Sequence, residues 1–433
     1  MMKKMYREAG EHVLDYKKHE NDNLIKVRSK ILLLTNFYMK KTVICLIVLL
    51  ISCGEKNKSH ENLPTHVRNT ENVTNYSLSK NANKIQLIKD QTYGDTEDIF
   101  FSRMSEFIVD DEGRIFIVEG AVGRKTIHVF NSDGKYLKNL GQEGYGPGEF
   151  KDICCMNINS EKLYVYDQIQ RRMSLFSLNA LDFLEVYIID KINLQESVTY
   201  GTFTGMYYFV TPEKILMEFS PPVHQHQNSD SLKNAYFYSD EKFNLSSSRT
   251  FELKQIPHHW GDFEGRRIRE TFPFFEKSLI AVSGNGRIFT AMSNHIFVKE
   301  LDQYGNYIKS FYYPHDKIKV TREDAYKSSN VMSRNIAESL DLPDYWPVLN
   351  SMQFDDQDQL WISTFTDKED QLKWWVLNKD GELLGTFYFQ GDRYGWPLRN
   401  GQNMKVIKNG YFYTMERNDE TELREIVRYR IDI

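Results

Sequence analysis

The sequence predicts an all-β chain: a six-bladed β-propeller of four-stranded antiparallel blades, closed by an N-terminal strand, with a short helical insertion near residues 321–341. Three observations predict it. A turn followed by an aliphatic–aromatic strand recurs six times. A glycine-containing hairpin turn follows several of these copies. One further strand, near the start of the globular body, has no hairpin partner of its own.

The recurring unit is clearest at Asp111-Glu112-Gly113-Arg114-Ile115-Phe116-Ile117-Val118. It returns at Ser160-Glu161-Lys162-Leu163-Tyr164-Val165-Tyr166 and, more weakly, at Pro212-Glu213-Lys214-Ile215-Leu216-Met217. Three more copies begin their apolar runs at Ile288, Leu360 and Tyr411. Three of the five steps between copies suit one four-stranded blade of about 40 to 50 residues. The two long steps, from Ile215 to Ile288 and from Ile288 to Leu360, imply insertions.

The second unit places Ser132-Asp133-Gly134, Gln303-Tyr304-Gly305 and Lys379-Asp380-Gly381 between alternating apolar runs. Glycine supplies the positive φ that a tight hairpin requires. Each repeat therefore reads as two hairpins in series, and six such units bury their faces best in a ring. After the last copy the chain supplies only about two more strands. "NKIQLIKD", Asn83 to Asp90, is predicted to complete that blade as its outer strand and so lock the ring, because an open edge invites pairing with other chains.

The N-terminal part is not body. Lys40-Lys41, the nine-residue apolar run Val43–Ile51 and the small residues after it have the layout of a secretory signal, and the run is too short to span a membrane, which needs about 20 residues. Leu50-Ile51-Ser52-Cys53 resembles a bacterial lipobox, which would make Cys53 the lipidated residue. The expected division is 1–38 as a non-native extension, 39–52 as signal, 53–83 as a flexible polar tether too poor in apolar side chains to offset ordering entropy, and 84–433 as the propeller.

Asn139–Phe150, "NLGQEGYGPGEF", raises the question of a phosphate loop. No Lys-Ser/Thr follows the glycines and the G-x-G-x-x-G spacing is missing, so it reads as a crossover turn between blades, with Phe150 anchored between them. The adjacent Cys154 and Cys155 lack metal-ligand spacing, and strand alternation is expected to bury one and leave the other as a thiol.

Taken together, "VFNSDGKYLKNLGQEGYGPGEF" and "KLYVYDQIQRRMSLFSLN" resemble an NHL-type repeat and, more closely, the six-bladed β-propeller lipoproteins of Bacteroidetes, related to TolB-like propellers. The D-x-x-N-x-R element of NHL repeats is matched at Asp167 and Arg172, with Gln170 in place of Asn. The resemblance implies that Asp167 and Arg172 are structural ties. It implies a fold and not a function, because propellers host scaffolds, receptors, lyases and lactonases alike.

Candidate chemistry is confined to the insertions. His224 and His226 are spaced for one face of a strand, although a polar, proline-flanked loop is the plainer reading and no metal site is assigned. His258, His259 and Trp260 have the residue types for sugar stacking and hydrogen bonding. Thr321 and Asp324 make an approximate capping box, opening a helix that ends before Pro343. Tyr345, Trp346, Arg393 and Trp396 complete the candidate ligand-binding set.

The net charge of −5 gives no reason to expect nucleic acid as the partner. No nucleophile elbow, H-E-x-x-H or EF-hand loop is present, so no catalytic residue and no cofactor is assigned. The expected function is a lipid-anchored binding or scaffold module of the cell envelope, in the outer membrane, with a monomeric body and a protein or glycan partner. A channel-site hydrolase or lyase, lactonase-like and metal-dependent, is the alternative.

Overall fold

A computed structural model describes residues 63–77, 83–94, 99, 101, 103–121, 125–189, 202–221, 232–395, 405–418 and 420–432. The signal run, Cys53, His224, His226 and Trp396 lie outside these residues. The chain divides into two units, 1–70 and 71–433. The described residues of the first hold a single helical turn, Thr65–Arg68.

The second unit is a six-bladed propeller. Blade 1 comprises Met104–Val109, Ile115–Glu119, Thr126–Phe130 and Tyr136–Leu140, in that spatial order. Blades 2 to 5 repeat this up-and-down order and begin with Ile153–Asn159, Thr202–Thr211, Ser278–Val282 and Leu349–Phe354. These first strands adjoin one another around the axis. All six recurring sequence units are second strands, one per blade, which is why their apolar runs are the most deeply buried: Ile115, Leu163, Ile215, Ile288, Leu360 and Phe412 are all within 1% of full burial.

Blade 6 joins the two ends of the chain. Lys405–Lys408, Tyr411–Arg417 and Arg424–Asp432 come from the C-terminus, and Gln86–Tyr93 pairs antiparallel with the last of them. The lone strand thus closes the ring, shifted slightly from its predicted bounds. Asn83–Lys84 instead adds in parallel to the outer strand of blade 5, and buried Ile85 separates the two pairings.

The segment read as a tether is likewise partly paired. Val73–Asn75 adds in parallel to Tyr307–Tyr313 of blade 4. Pairing at a sheet edge needs backbone groups more than apolar side chains. Tyr76 secures the addition by stacking on Tyr313 with centroids 4.9 Å apart and donating to Asp380 O.

Six of the turns between first and second strands or between third and fourth share one chemistry. Asp110 Oδ1 accepts the backbone N–H groups two and four residues on, and Asn131, Asp240, Asp302, Asp355 and Asn378 do the same. In the Asp-Gly hairpins only the glycine takes positive φ. Gly134 N donates to Asn131 O and the ladder slips by one residue, so the loop is a four-residue turn with a bulge.

Because every blade runs up and down, the opposite end of the propeller receives all the blade-to-blade connections together with the turns between second and third strands. The Gly-rich crossover lies there. Phe150 is fully buried in a cluster shared by blades 1 and 2. Arg172 donates to the carbonyls of Tyr145, Gly146 and Glu149. Gln170 donates to Gly144 O and Glu149 O, and Asp167 Oδ2 accepts Lys151 N at 2.6 Å. The D-x-x-Q-x-R element is therefore a clasp on this loop.

Candidate functional site

Among the described residues, three insertions lie at the end that receives the blade-to-blade connections and pack into one satellite core. The connection into blade 4 contributes Phe272 and Phe274, that into blade 5 contributes Ala325, Ile336, Ala337, Leu340 and Trp346, and Tyr394 comes from the connection into blade 6.

The connection into blade 4 carries a hairpin, His259–Phe263 paired with Arg266–Glu270. Gly261 lets it approach the helical insertion closely, since a Cβ there would fall 2.4 Å from Ile336 Cγ1. Alternation then puts Trp260 and Asp262 on the other face, with Arg269 as the cross-strand partner of Trp260 and Arg267 paired to Asp262 at 3.0 Å. His259 packs its ring against Phe275, centroids 4.5 Å apart. Burial, with Arg269 and His259 adding to it, pushes His258 down to about 4, so its ring is neutral at physiological pH. His258 Nδ1 and Trp260 Nε1 are both buried, and neither has a hydrogen-bond partner among the described residues. Such orphaned groups are costly unless something outside the chain satisfies them.

The helical insertion is two helices, Arg322–Lys327 and Arg334–Ser339, where the sequence suggested one. The capping box at Thr321 and Asp324 forms as predicted. The break falls where Asn330 and Ser333 bond the local backbone in place of helical partners. Arg322 caps the second helix by donating to Ala337 O and Leu340 O.

Trp346 is not an exposed anchor. It is buried, edge-on to Phe274, with the Arg393 guanidinium 5.6 Å above its ring. Arg393 is buried as well and donates to Thr366 O. Both hold the satellite core together, while Tyr345 is exposed with Lys317 over its ring.

Sequence reasoning missed three arrangements here. Tyr394 Oη lies 2.9 Å from Asp324 Oδ1 and 2.8 Å from Glu369 Oε1, and Lys327 bonds the same Glu369. Burial opposes ionisation of Asp324, but hydrogen bonds from Thr321 and Tyr394 outweigh it and lower its pKa. Lys277, at the start of the first strand of blade 4, is pushed down to about 8 by burial. His315 Nδ1 donates to Tyr313 O, so its Nε2 is the acceptor for His295 Nδ1, 3.2 Å away. Only the capping box left a local signal for any of these. Among the described residues, no three His, Cys, Asp or Glu side chains are grouped to hold a metal ion.

A family model described as a 6-bladed beta-propeller, DUF5128, matches residues 54–261. The chain is a six-bladed β-propeller. Among solved structures, a member of the duf4221 family from Bacteroides vulgatus is similar over 81% of this chain and 99% of its own, at 12% identity and a TM-score of 0.50. A Bacteroides fragilis protein described as exported covers 83% of this chain and 100% of its own, at 12% identity and a TM-score of 0.47. Virginiamycin B lyase from Staphylococcus aureus covers 81% of this chain and 89% of its own, at 11% identity and a TM-score of 0.31. These likenesses concern the fold alone. No curated protein matches the chain. Among the described residues, no helix is long and apolar enough to cross a membrane.

Proposed function

We propose that the propeller is an extracytoplasmic binding module whose insertion-bearing end takes a glycan or protein ligand. In this reading it is an NHL/TolB-like propeller, held at the outer membrane by a lipid on Cys53. The signal-like layout from Lys40 to Cys53 supports the anchor. The observation that carries the binding reading is the Trp260 face of the hairpin. It presents a half-buried indole with Arg269 directly across the hairpin, and the neutral His258 lies two residues before the indole. A sugar ring can stack on the accessible part of the indole while its hydroxyls accept hydrogen bonds from Arg269.

The test is binding of the purified full chain to a glycan array and to solubilised envelope protein. Trp260→Ala and Arg269→Ala should each weaken capture about tenfold or more, as for anchor residues of a binding site. Undiminished capture by both variants would contradict the reading. Turnover of a captured glycan or lactone by the native chain would favour the hydrolase or lyase alternative instead.

A further inference from the structure

The first strand of blade 2 departs from alternation at one point. Its register against the second strand slips between Ile153 and Cys155, leaving Cys154 as the extra residue of a β-bulge. The packing shows what the bulge does. Ile153 and Met156 both face the core shared with blade 1, whereas Cys154 and Cys155 both face the core shared with blade 3. Consecutive thiols thus share one side of the strand, which regular alternation forbids. One thiol is buried and both are free, as expected, but strand alternation is not the cause: Cys155 is buried, and Cys154 is half-buried beside it on the same side.

Blade 3 leaves room for the pair. Gly205 sits opposite with φ +88, and a Cβ there would fall 2.7 Å from both Cys154 Sγ and Cys155 Sγ. The sulfurs lie 2.6 Å apart. The same bulge recurs at the starts of other first strands, between Met104 and Glu106 and between Leu349 and Ser351, where the doubled positions are Ser105-Glu106 and Asn350-Ser351. Only in blade 2 does this device set two cysteines side by side.

We propose that Cys154 and Cys155 form a vicinal dithiol site that closes to an intrachain disulfide by exchange with a small-molecule or protein disulfide. The less buried Cys154 attacks as thiolate, breaking the donor's S–S bond and releasing one donor thiol. Cys155, losing its proton, then attacks Cys154 Sγ and releases the second thiol. The two protein sulfurs lose two hydrogens and the donor gains them. An eight-membered ring results, with the bulge having already turned both side chains the same way.

The test treats the folded full chain with oxidised glutathione, quenches with iodoacetamide under denaturing conditions, and maps tryptic peptides. The peptide from Asp152 to Lys162 carries both cysteines. It should be recovered unalkylated and lighter by two hydrogen masses, and it should close faster in the folded chain than in denaturant. Cys155→Ser should trap one glutathione on Cys154, and Cys154→Ser should take up little. Recovery of the native peptide with both cysteines alkylated, or with two glutathione adducts, would overturn the proposal. So would equal closure rates in folded and denatured chain, or ready adduct formation by Cys154→Ser.

Discussion

Arg428, on the last strand of the chain, donates from Nε to Asp90 Oδ2 at 2.7 Å and from Nη1 to Ser132 O at 2.8 Å. One guanidinium therefore ties the closing N-terminal strand, the C-terminal strand and a turn of blade 1. It also lies over the Tyr411 ring at 4.6 Å, in a setting where its head group is little exposed. Arg428→Met should cost about 2–4 kcal/mol in urea unfolding, because it leaves Asp90 without its partner as well as losing the bonds. An unchanged unfolding midpoint would show that the ring ends are held by the ladder alone.

Arg172 makes the corresponding clasp on the Gly-rich crossover. Removing it as Arg172→Ala should lower stability by about 2 kcal/mol, and Arg172→Lys should recover little of that. A lysine ammonium cannot reach the carbonyls of Tyr145, Gly146 and Glu149 in the same fork geometry. Thermal unfolding of the two variants decides it, and full recovery by lysine would show that charge, not shape, matters.

Glycine is required in the crossover for space as well as for φ. A Cβ on Gly141 would lie 2.3 Å from the Phe150 ring and 2.4 Å from Gly148 O, at φ +67. Gly410 has a similar φ of +76 but open space around it. Gly141→Ala should therefore cost about 3 kcal/mol or more and Gly410→Ala about 1 kcal/mol. Denaturation midpoints that rank the other way would contradict the packing described.

His258 gives the acid limb of stability a definite sign. Its folded pKa of about 4 lies below the value of about 6.5 in the unfolded chain, so the unfolded chain takes up the proton first. Stability is intact above about pH 6.5 and falls as pH drops toward about 4, by on the order of 2 kcal/mol once its partial exposure is discounted. His258→Gln should flatten that slope in urea melts between about pH 7 and about pH 4.5. A slope as steep as in the native chain would place the titrating group elsewhere.

What could be read from the sequence follows from how local each determinant is. Gly134, Gly305 and Gly381 mark their hairpins because turn geometry is decided within four residues. The closing strand was legible because the last blade visibly lacked one. The clasp at Asp167 and Arg172 was readable through a short element. Trp346 misled, because an aromatic in a polar segment looks exposed until Phe274, 72 positions earlier, is known to cover it. The bond from Tyr394 to Asp324 spans 70 residues and leaves no local trace. The bulge at Cys154 is decided across strands, so alternation along one strand could not show it.

The central claim is that the insertion-bearing end is the binding face. Hydrogen–deuterium exchange of the full chain, with and without a ligand captured from a glycan array, tests it most directly. The account predicts added protection in the hairpin from His259 to Glu270 and around Tyr345, with the turns at Asp110, Asp302 and Asp355 unchanged. Protection confined to those opposite-end turns, or to the outer strands, would contradict it.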